Sequence, residues 1–181
     1  MLYRTDRLAV RPLAPDDLDA VLSVYTSNPA YLELTEGSAG EAGHYDRGML
    51  ERDLAMAELA PERTLAGIWL EGELVGVIDW LLENPNDGRP WLGLIMVREN
   101  MQRRGIAREA VTGLLSHLAR QGVSVLRAAV IEGNVAGLAN MRSLGFGEVE
   151  QTTVRIAAGE RRLTIFERAL ATDGAAEGSG S

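Results

Sequence analysis

The apolar positions of this chain change period several times, and each change marks an element. Leu8-Ala9-Val10-Arg11-Pro12-Leu13 alternates as a strand does and is stopped by Pro12. Ala14-Pro15-Asp16-Asp17 then places a proline and two acids at a helix start. Leu18, Val21, Leu22 and Tyr25 continue it at helical spacing until Asn28-Pro29. Residues 30–43 read as an irregular polar stretch, and 44–60 as a second helix carrying Met49, Leu50, Leu54, Ala57 and Leu59 before Pro61. Thr64–Leu70, the tight turn Glu71-Gly72 and Glu73–Leu82 predict a hairpin. The turn cluster Asn84-Pro85-Asn86-Asp87-Gly88 leads into a third strand, Trp91–Val97, and short turns between three strands imply an antiparallel meander.

Arg98–Gln102 is a polar turn. From Arg103 the apolar residues Ala107, Ala110, Val111, Leu114, Leu115 and Leu118 repeat at helical spacing, and Gly122 closes the helix. Val123–Ile131 is again apolar enough for a buried strand, so strand, helix and strand form a parallel crossover. Asn134 opens a short helix with Leu138, Met141 and Leu144, closed by Gly145. Phe146–Ile156 and Arg161–Leu170 predict a last hairpin around Ala157–Glu160, and 171–181 a disordered tail. No internal repeat is visible. The elements predict one α/β (α+β) domain over 1–170.

Composition narrows the chemistry. With 181 residues, 46% hydrophobic and 24% charged, the chain can bury one sizeable core. No apolar run approaches the ~20 residues of a membrane span, and Met-Leu-Tyr-Arg-Thr-Asp-Arg lacks a signal-peptide pattern, so a cytoplasmic protein with no membrane association is expected. The absence of cysteine excludes a thiolate nucleophile. Two histidines, His44 and His117, far apart, make a metal site an unfavourable reading, and no nucleophile-elbow sequence supports a serine triad. His44 reads as a helix-start residue and His117 as a solvated helix position. The net charge of −8 argues against nucleic acid as a partner; it suits a cationic acceptor, and equally a surface kept soluble by charge.

The strongest local chemistry lies where Trp91–Val97 feeds the helix after Gly105. A helix start leaves N–H groups unpaired and carries roughly half a positive charge, a ready anion site. Arg103, Arg104 and Arg108 strengthen it, at a cost to helix stability unless an anion is bound. Gly105 lets the backbone approach an oxygen closely.

This segment also resembles a known signature. Gln102-Arg103-Arg104-Gly105-Ile106-Ala107 is similar to the Gln/Arg-x-x-Gly-x-Gly/Ala acyl-CoA motif of the GNAT superfamily of N-acetyltransferases. Thr5-Asp6-Arg7-Leu8 with Arg11-Pro12-Leu13 resembles the opening of its RimJ/RimL-like branch. Asn134-x-x-Gly137 leading to Arg142-Ser143-Leu144-Gly145-Phe146 resembles its Asn-x-x-Ala…Gly-Phe segment. The resemblance covers 1–170 and implies the GNAT acyl-CoA N-acyltransferase fold: a mixed, mostly antiparallel seven-stranded sheet, four flanking helices, and a splay between its two central strands.

It implies acetyl-CoA as the acyl donor, with no metal. The pyrophosphate would sit on backbone N–H groups of Arg103–Arg108, including Ile106 and Ala107, and the pantetheine would pair with Ile95 and Val97 as an added strand. A backbone N–H near Met96–Val97 would stabilise the oxyanion. Asn134 would bond the pantetheine, cap its helix, or do both. The acceptor would be a small amine or a peptide N-terminus, attacking the thioester directly; members of that branch are often dimers, so a homodimer is one expected state.

Two positions depart from the family pattern. The tyrosine that protonates the leaving thiolate in many relatives is Met141 here, and a glutamate found in several N-terminal acetyltransferases is Ala129. A thiol of pKa near 8.5 makes the missing acid worth roughly 2 kcal/mol, a survivable loss. A non-catalytic acyl-CoA-binding module of the same fold is the competing class. The base depends on the acceptor: an α-amine needs little help, whereas a lysine amine needs roughly 4–5 kcal/mol of deprotonation. Asp79, in an otherwise apolar strand, is either in the cleft as the first candidate base or paired on a partly exposed face; Glu36 and Glu33 follow, with Tyr31 and Tyr45 as candidate acids, and each of these four reads more readily as a surface residue.

Overall fold

The stretch Leu74–Trp80 is buried without interruption, which suits an interior strand covered on both faces. The protein's structure, a computed structural model, describes residues 1–37, 45–60 and 62–171. Its strands are β1 (Tyr3–Arg4), β2 (Leu8–Pro12), β3 (Arg63–Leu70), β4 (Glu73–Leu81), β5 (Trp91–Val97), β6 (Val125–Ile131), β7 (Gly147–Ile156) and β8 (Gly159–Ala169). They form one eight-stranded sheet in the order β1-β2-β3-β4-β5-β6-β8-β7. Every neighbouring pair is antiparallel except β5 and β6. The helices are α1 (Leu18–Thr26), α2 (Pro29–Glu36), α3 (Arg47–Glu58), α4 (Ile106–Arg120) and α5 (Val135–Ser143).

The architecture is the expected one with one strand and one helix more than predicted among the described residues. β1 is too short to show a period; it exists because Tyr3 packs over Gly113 of α4, where a Cβ would lie 2.7 Å from the ring, and donates its hydroxyl to the Ala110 carbonyl at 2.8 Å. α2 replaces part of the stretch read as irregular. Asn28-Pro29 ends α1, but the same proline stands at the first turn of α2, where its missing N–H costs nothing. His44, Pro61 and the tail beyond Ala171 lie outside the described residues.

The sheet has an apolar layer on each face. On one, Ile106, Ala110, Val111, Leu114 and Leu118 of α4 and Met141 of α5 pack with Val10, Ile68, Ile78, Leu126 and Phe166. On the other, Val21, Val24 and Tyr25 of α1 and Leu50 of α3 cover Trp69, Leu74, Val77 and Met96. Burying one such side chain fully contributes roughly 1.5–3 kcal/mol. Ile68 pairs with Gly76 but Trp69 with Leu74, so Val75 is an extra residue and the facing of β4 switches there. As a result Asp79 faces the α1/α3 side.

The splay expected at the centre is present. β6 pairs with β5 only at Trp91–Arg127 and Leu92–Ala128. A second bulge follows at once, because Trp80 pairs with Leu92 and Asp79 with Leu94, leaving Gly93 unmatched. From Gly93 onward β5 has a strand partner on the β4 side alone.

Candidate active site

The wedge between β5 and β6 opens into a cleft of ≈ 730 Å³, with the start of α4 at one end and α2 and the β7–β8 hairpin at the other. Ala158 N–H donates to the Thr35 carbonyl at 3.1 Å, so the hairpin tip is tied to α2 across the cleft.

The loop before α4 is shaped by two left-handed residues, Arg103 (φ 58°) and Gly105 (φ 78°). The first intrahelical bond runs from Glu109 N–H to the Gly105 carbonyl at 2.9 Å, so the N–H groups up to Arg108 lack helical partners. Arg103, Gly105, Ile106, Ala107 and Arg108 line the cleft; Arg104 is exposed and does not. Its carbonyl instead accepts from Arg7 Nη2 at 3.1 Å. Arg7 is in turn held by Glu109, through its backbone N–H at 2.9 Å and its Nε at 2.6 Å, and Thr5 donates to the same carboxylate at 2.5 Å. Burial pushes the Glu109 carboxyl up, but the bonds from Thr5 and Arg7 outweigh it and hold it below the usual range. This clamp escaped sequence reasoning, although Thr5-Asp6-Arg7-Leu8 stood out as a motif.

Arg98 N–H bonds back to Val75 in β4 at 2.8 Å; by strand alternation Ile95 and Val97 turn their backbone groups toward the cleft and Met96 turns its own toward β4. The Val97 carbonyl is already taken, by Asn28 Nδ2 at 3.1 Å and Gln102 Nε2 at 3.0 Å. Gln102 therefore braces the end of β5 against α1 instead of presenting its amide to an anion. Asn134 caps α5, its Oδ1 accepting from Gly137 N–H at 2.9 Å, and it also lines the cleft. Met141 is buried in the cleft wall and Ala129 is exposed to it, so neither position supplies an acid.

A side pocket of ≈ 250 Å³ opens off the cleft, sharing Tyr31, Thr35, Gly93 and Leu94 with it. Asp79 is here, 3% exposed, but it is not a free carboxylate: Arg63 holds it through Nε at 2.9 Å and Nη2 at 2.6 Å. Hydrogen bonding to Asp79 is the largest of the causes that raise the Arg63 pKa. The expected first candidate is therefore a fixed ion pair. Glu36 stands at the rim, its carboxyl raised above the usual range by desolvation and, next, by the charge of Asp53, against a bond with Thr35. Glu33 lies on the exposed face of α2 and lines neither cavity. Tyr45 stacks on Tyr25, centroids 4.9 Å apart, and donates a short bond to Asp53. Burial and then that bond push the Tyr45 phenol well above its ordinary value, and its proton is directed to Asp53. Asp53 was not a candidate from sequence, since it reads as one more acid on a polar helix face.

His117, expected to be solvated, is half-buried: its ring centroid lies 5.5 Å from that of Tyr3 and 6.4 Å from that of Trp80, and burial followed by Arg120 lowers its pKa. Among the described residues no group of three His, Asp or Glu could hold a metal ion, and no helix is long and apolar enough to cross a membrane.

A sheet wedged open beside a bare helix start is the frame of an acyl-transfer fold. The chain belongs to the GNAT acetyltransferase family: the family profile described as "Acetyltransferase (GNAT) domain" matches residues 7–147. Its enzyme class is thereby that of an acetyltransferase. An acetyltransferase from Thermus thermophilus is 28% identical, superimposes with a TM-score of 0.71, and shares 91% of this chain and 97% of its own length. RimL, a ribosomal α-N-protein acetyltransferase solved with coenzyme A, is 16% identical at TM-score 0.74, covering 93% and 97%. Mycobacterium smegmatis RimJ, solved with a CoA disulfide, is 18% identical at 0.73, covering 90% and 81%. No curated protein sequence matches the chain significantly.

Proposed function

We propose that the protein transfers an acetyl group from acetyl-CoA to a primary amine by direct attack within a ternary complex. The observation that carries this is the junction of two cavities: the cleft beneath the unpaired edge of β5 meets the side pocket at Tyr31, Thr35, Gly93 and Leu94. A thioester lying along that edge ends where an amine in the side pocket would arrive.

On this assignment the N–H groups of Gly105–Arg108, with Arg103 and Arg108, hold the pyrophosphate. Ile95, and the N–H of Val97, pair with the pantetheine as an added strand, and a cleft-facing N–H there steadies the oxyanion. Asn134 contributes its amide while capping α5. With no cysteine in the chain, no acyl-thioenzyme forms, and the amine attacks the donor itself. The thiolate leaves without a protein acid, at the cost of roughly 2 kcal/mol.

Thiol release measured with acetyl-CoA and a panel of primary amines and peptides tests the assignment. Acetyl-CoA-dependent release with some amine is the expected result. Tight acetyl-CoA binding with no turnover on any acceptor would overturn it and leave a binding module.

A further inference from the structure

We propose that the side pocket is the acceptor site and that it selects small primary amines with no carboxylate beside the reacting nitrogen. The proposal rests on the acetyl-transfer assignment above and adds the acceptor's charge and size.

Three features of the pocket point to a cation. Arg63 and Asp79 satisfy one another, and Glu36 and Asp53, also in the wall, have no ion-pair partner within salt-bridge distance among the described residues. Tyr25, Tyr31 and Tyr45 line it as well, beside Leu32 and Leu94. Carboxylates among aromatic rings suit an ammonium group, whereas an anion there meets repulsion from the acids.

The third feature is independent of the acids. Tyr25 is only 8% exposed, yet its hydroxyl makes no hydrogen bond among the described residues and is not sealed from the pocket it lines. That hydroxyl is open to the pocket, where an ammonium or amine can donate a hydrogen bond to it.

Volume sets the size. At ≈ 250 Å³ the pocket falls below the roughly 300 Å³ at which drug-sized sites begin. It holds an amine with a compact substituent.

The chemistry balances without a further reactant. The bound ammonium passes one proton to the Glu36 carboxylate, freeing its lone pair. The nitrogen forms a C–N bond to the acetyl carbonyl carbon, and the C–S electron pair leaves on sulfur. The second nitrogen proton ends on that sulfur, giving the CoA thiol, and Glu36 returns its proton to water. Asp53, which accepts from Tyr45, holds the cation before the transfer. The groups facing Glu36 are Asp53, Tyr31, Tyr45 and, deeper, Asp79 and Arg63.

Matched pairs that differ by one carboxylate test the selection: tyramine against tyrosine and tryptamine against tryptophan, with alanine- and serine-initiated peptides alongside. The expected kcat/KM favours the decarboxylated amine at least 100-fold. In Asp53→Asn that preference falls at least tenfold through a raised amine KM, while acetyl-CoA affinity, measured by calorimetry, stays within twofold and certifies the fold. Equal or better turnover of the amino acids would overturn the selection and give Arg63 a carboxylate-binding role. Preference for the peptides would overturn the size limit. Asp53→Asn with unchanged amine KM would remove that residue from the site. Acetyl-CoA binding without turnover on any acceptor would instead sink the transfer assignment on which the proposal rests.

Discussion

The cleft proposed for the cofactor and the side pocket are built on opposite principles. The cleft takes its polar groups from the backbone: bare N–H groups before Glu109 and a strand edge released by the splay at Gly93. The side pocket takes its polarity from side chains on α2, α3, β3 and β4 and from Tyr25 and Tyr45, which meet only when the chain is folded. Backbone sites need particular φ angles and one glycine; side-chain sites need particular neighbours. Hence damage to the two should read out differently, one in donor binding and the other in acceptor kinetics.

The largest effect expected is structural. Asp79→Ala strands the Arg63 guanidinium, and loss of one partner of a buried pair costs about 3–5 kcal/mol; urea unfolding measures it. A loss below about 1 kcal/mol would mean that the pair is dispensable and Asp79 is free for chemistry. Gly105→Val forces a branched residue into φ 78° and should weaken CoA binding at least tenfold, about 1.4 kcal/mol, with the amine KM unchanged. If the amine KM moves as much, the two regions are not separable.

Arg7→Ala should weaken CoA binding about fivefold, near 1 kcal/mol, by releasing the Arg104 carbonyl, with Arg7→Lys recovering part of it. The clamp also carries a pH signature. Glu109's folded pKa is depressed, so its stabilising contribution is complete above the ordinary carboxylate range and is lost as pH falls through the lowered value. Glu109→Gln should flatten that part of the acid unfolding curve. Glu36→Gln should act on the other region alone. Glu36's raised carboxyl places the acidic limb of kcat/KM above the ordinary carboxylate range, and the glutamine removes that limb without changing CoA affinity. Asn134→Ala is the smallest test: the lost cap costs ~1 kcal/mol of stability, and any added loss in CoA affinity measures its contact with the donor.

Legibility in the sequence follows the same division. Trp91–Val97 has the same bounds in sequence and structure, and Gly122 and Gly145 mark helix ends in both, because strand period and glycine at positive φ are local properties. β1 was missed because two residues have no period and Tyr3 is held by α4, more than a hundred positions away. Asn28-Pro29 was half-read, since one proline both ends a helix and begins the next. Asp79 looked catalytic because a lone acid in an apolar strand is conspicuous; that Arg63 lies across the hairpin to neutralise it is a matter of register. Asp53 and Tyr25 carried no signal at all.

By itself, then, the chain determined the site proposed for the acyl donor. A strand, a glycine turn and a helix start are contiguous in sequence, and the groups that hold an anion there are the backbone's own. Only the tertiary structure decided the pocket proposed for the acceptor. Arg63 claims Asp79 and Tyr45 holds Asp53 because α1, α2, α3 and the β3–β4 hairpin pack on one face of the sheet. Charge and hydrogen bonding act through space, so which carboxylate is neutralised and which is left for a substrate depends on which partners the fold brings within reach.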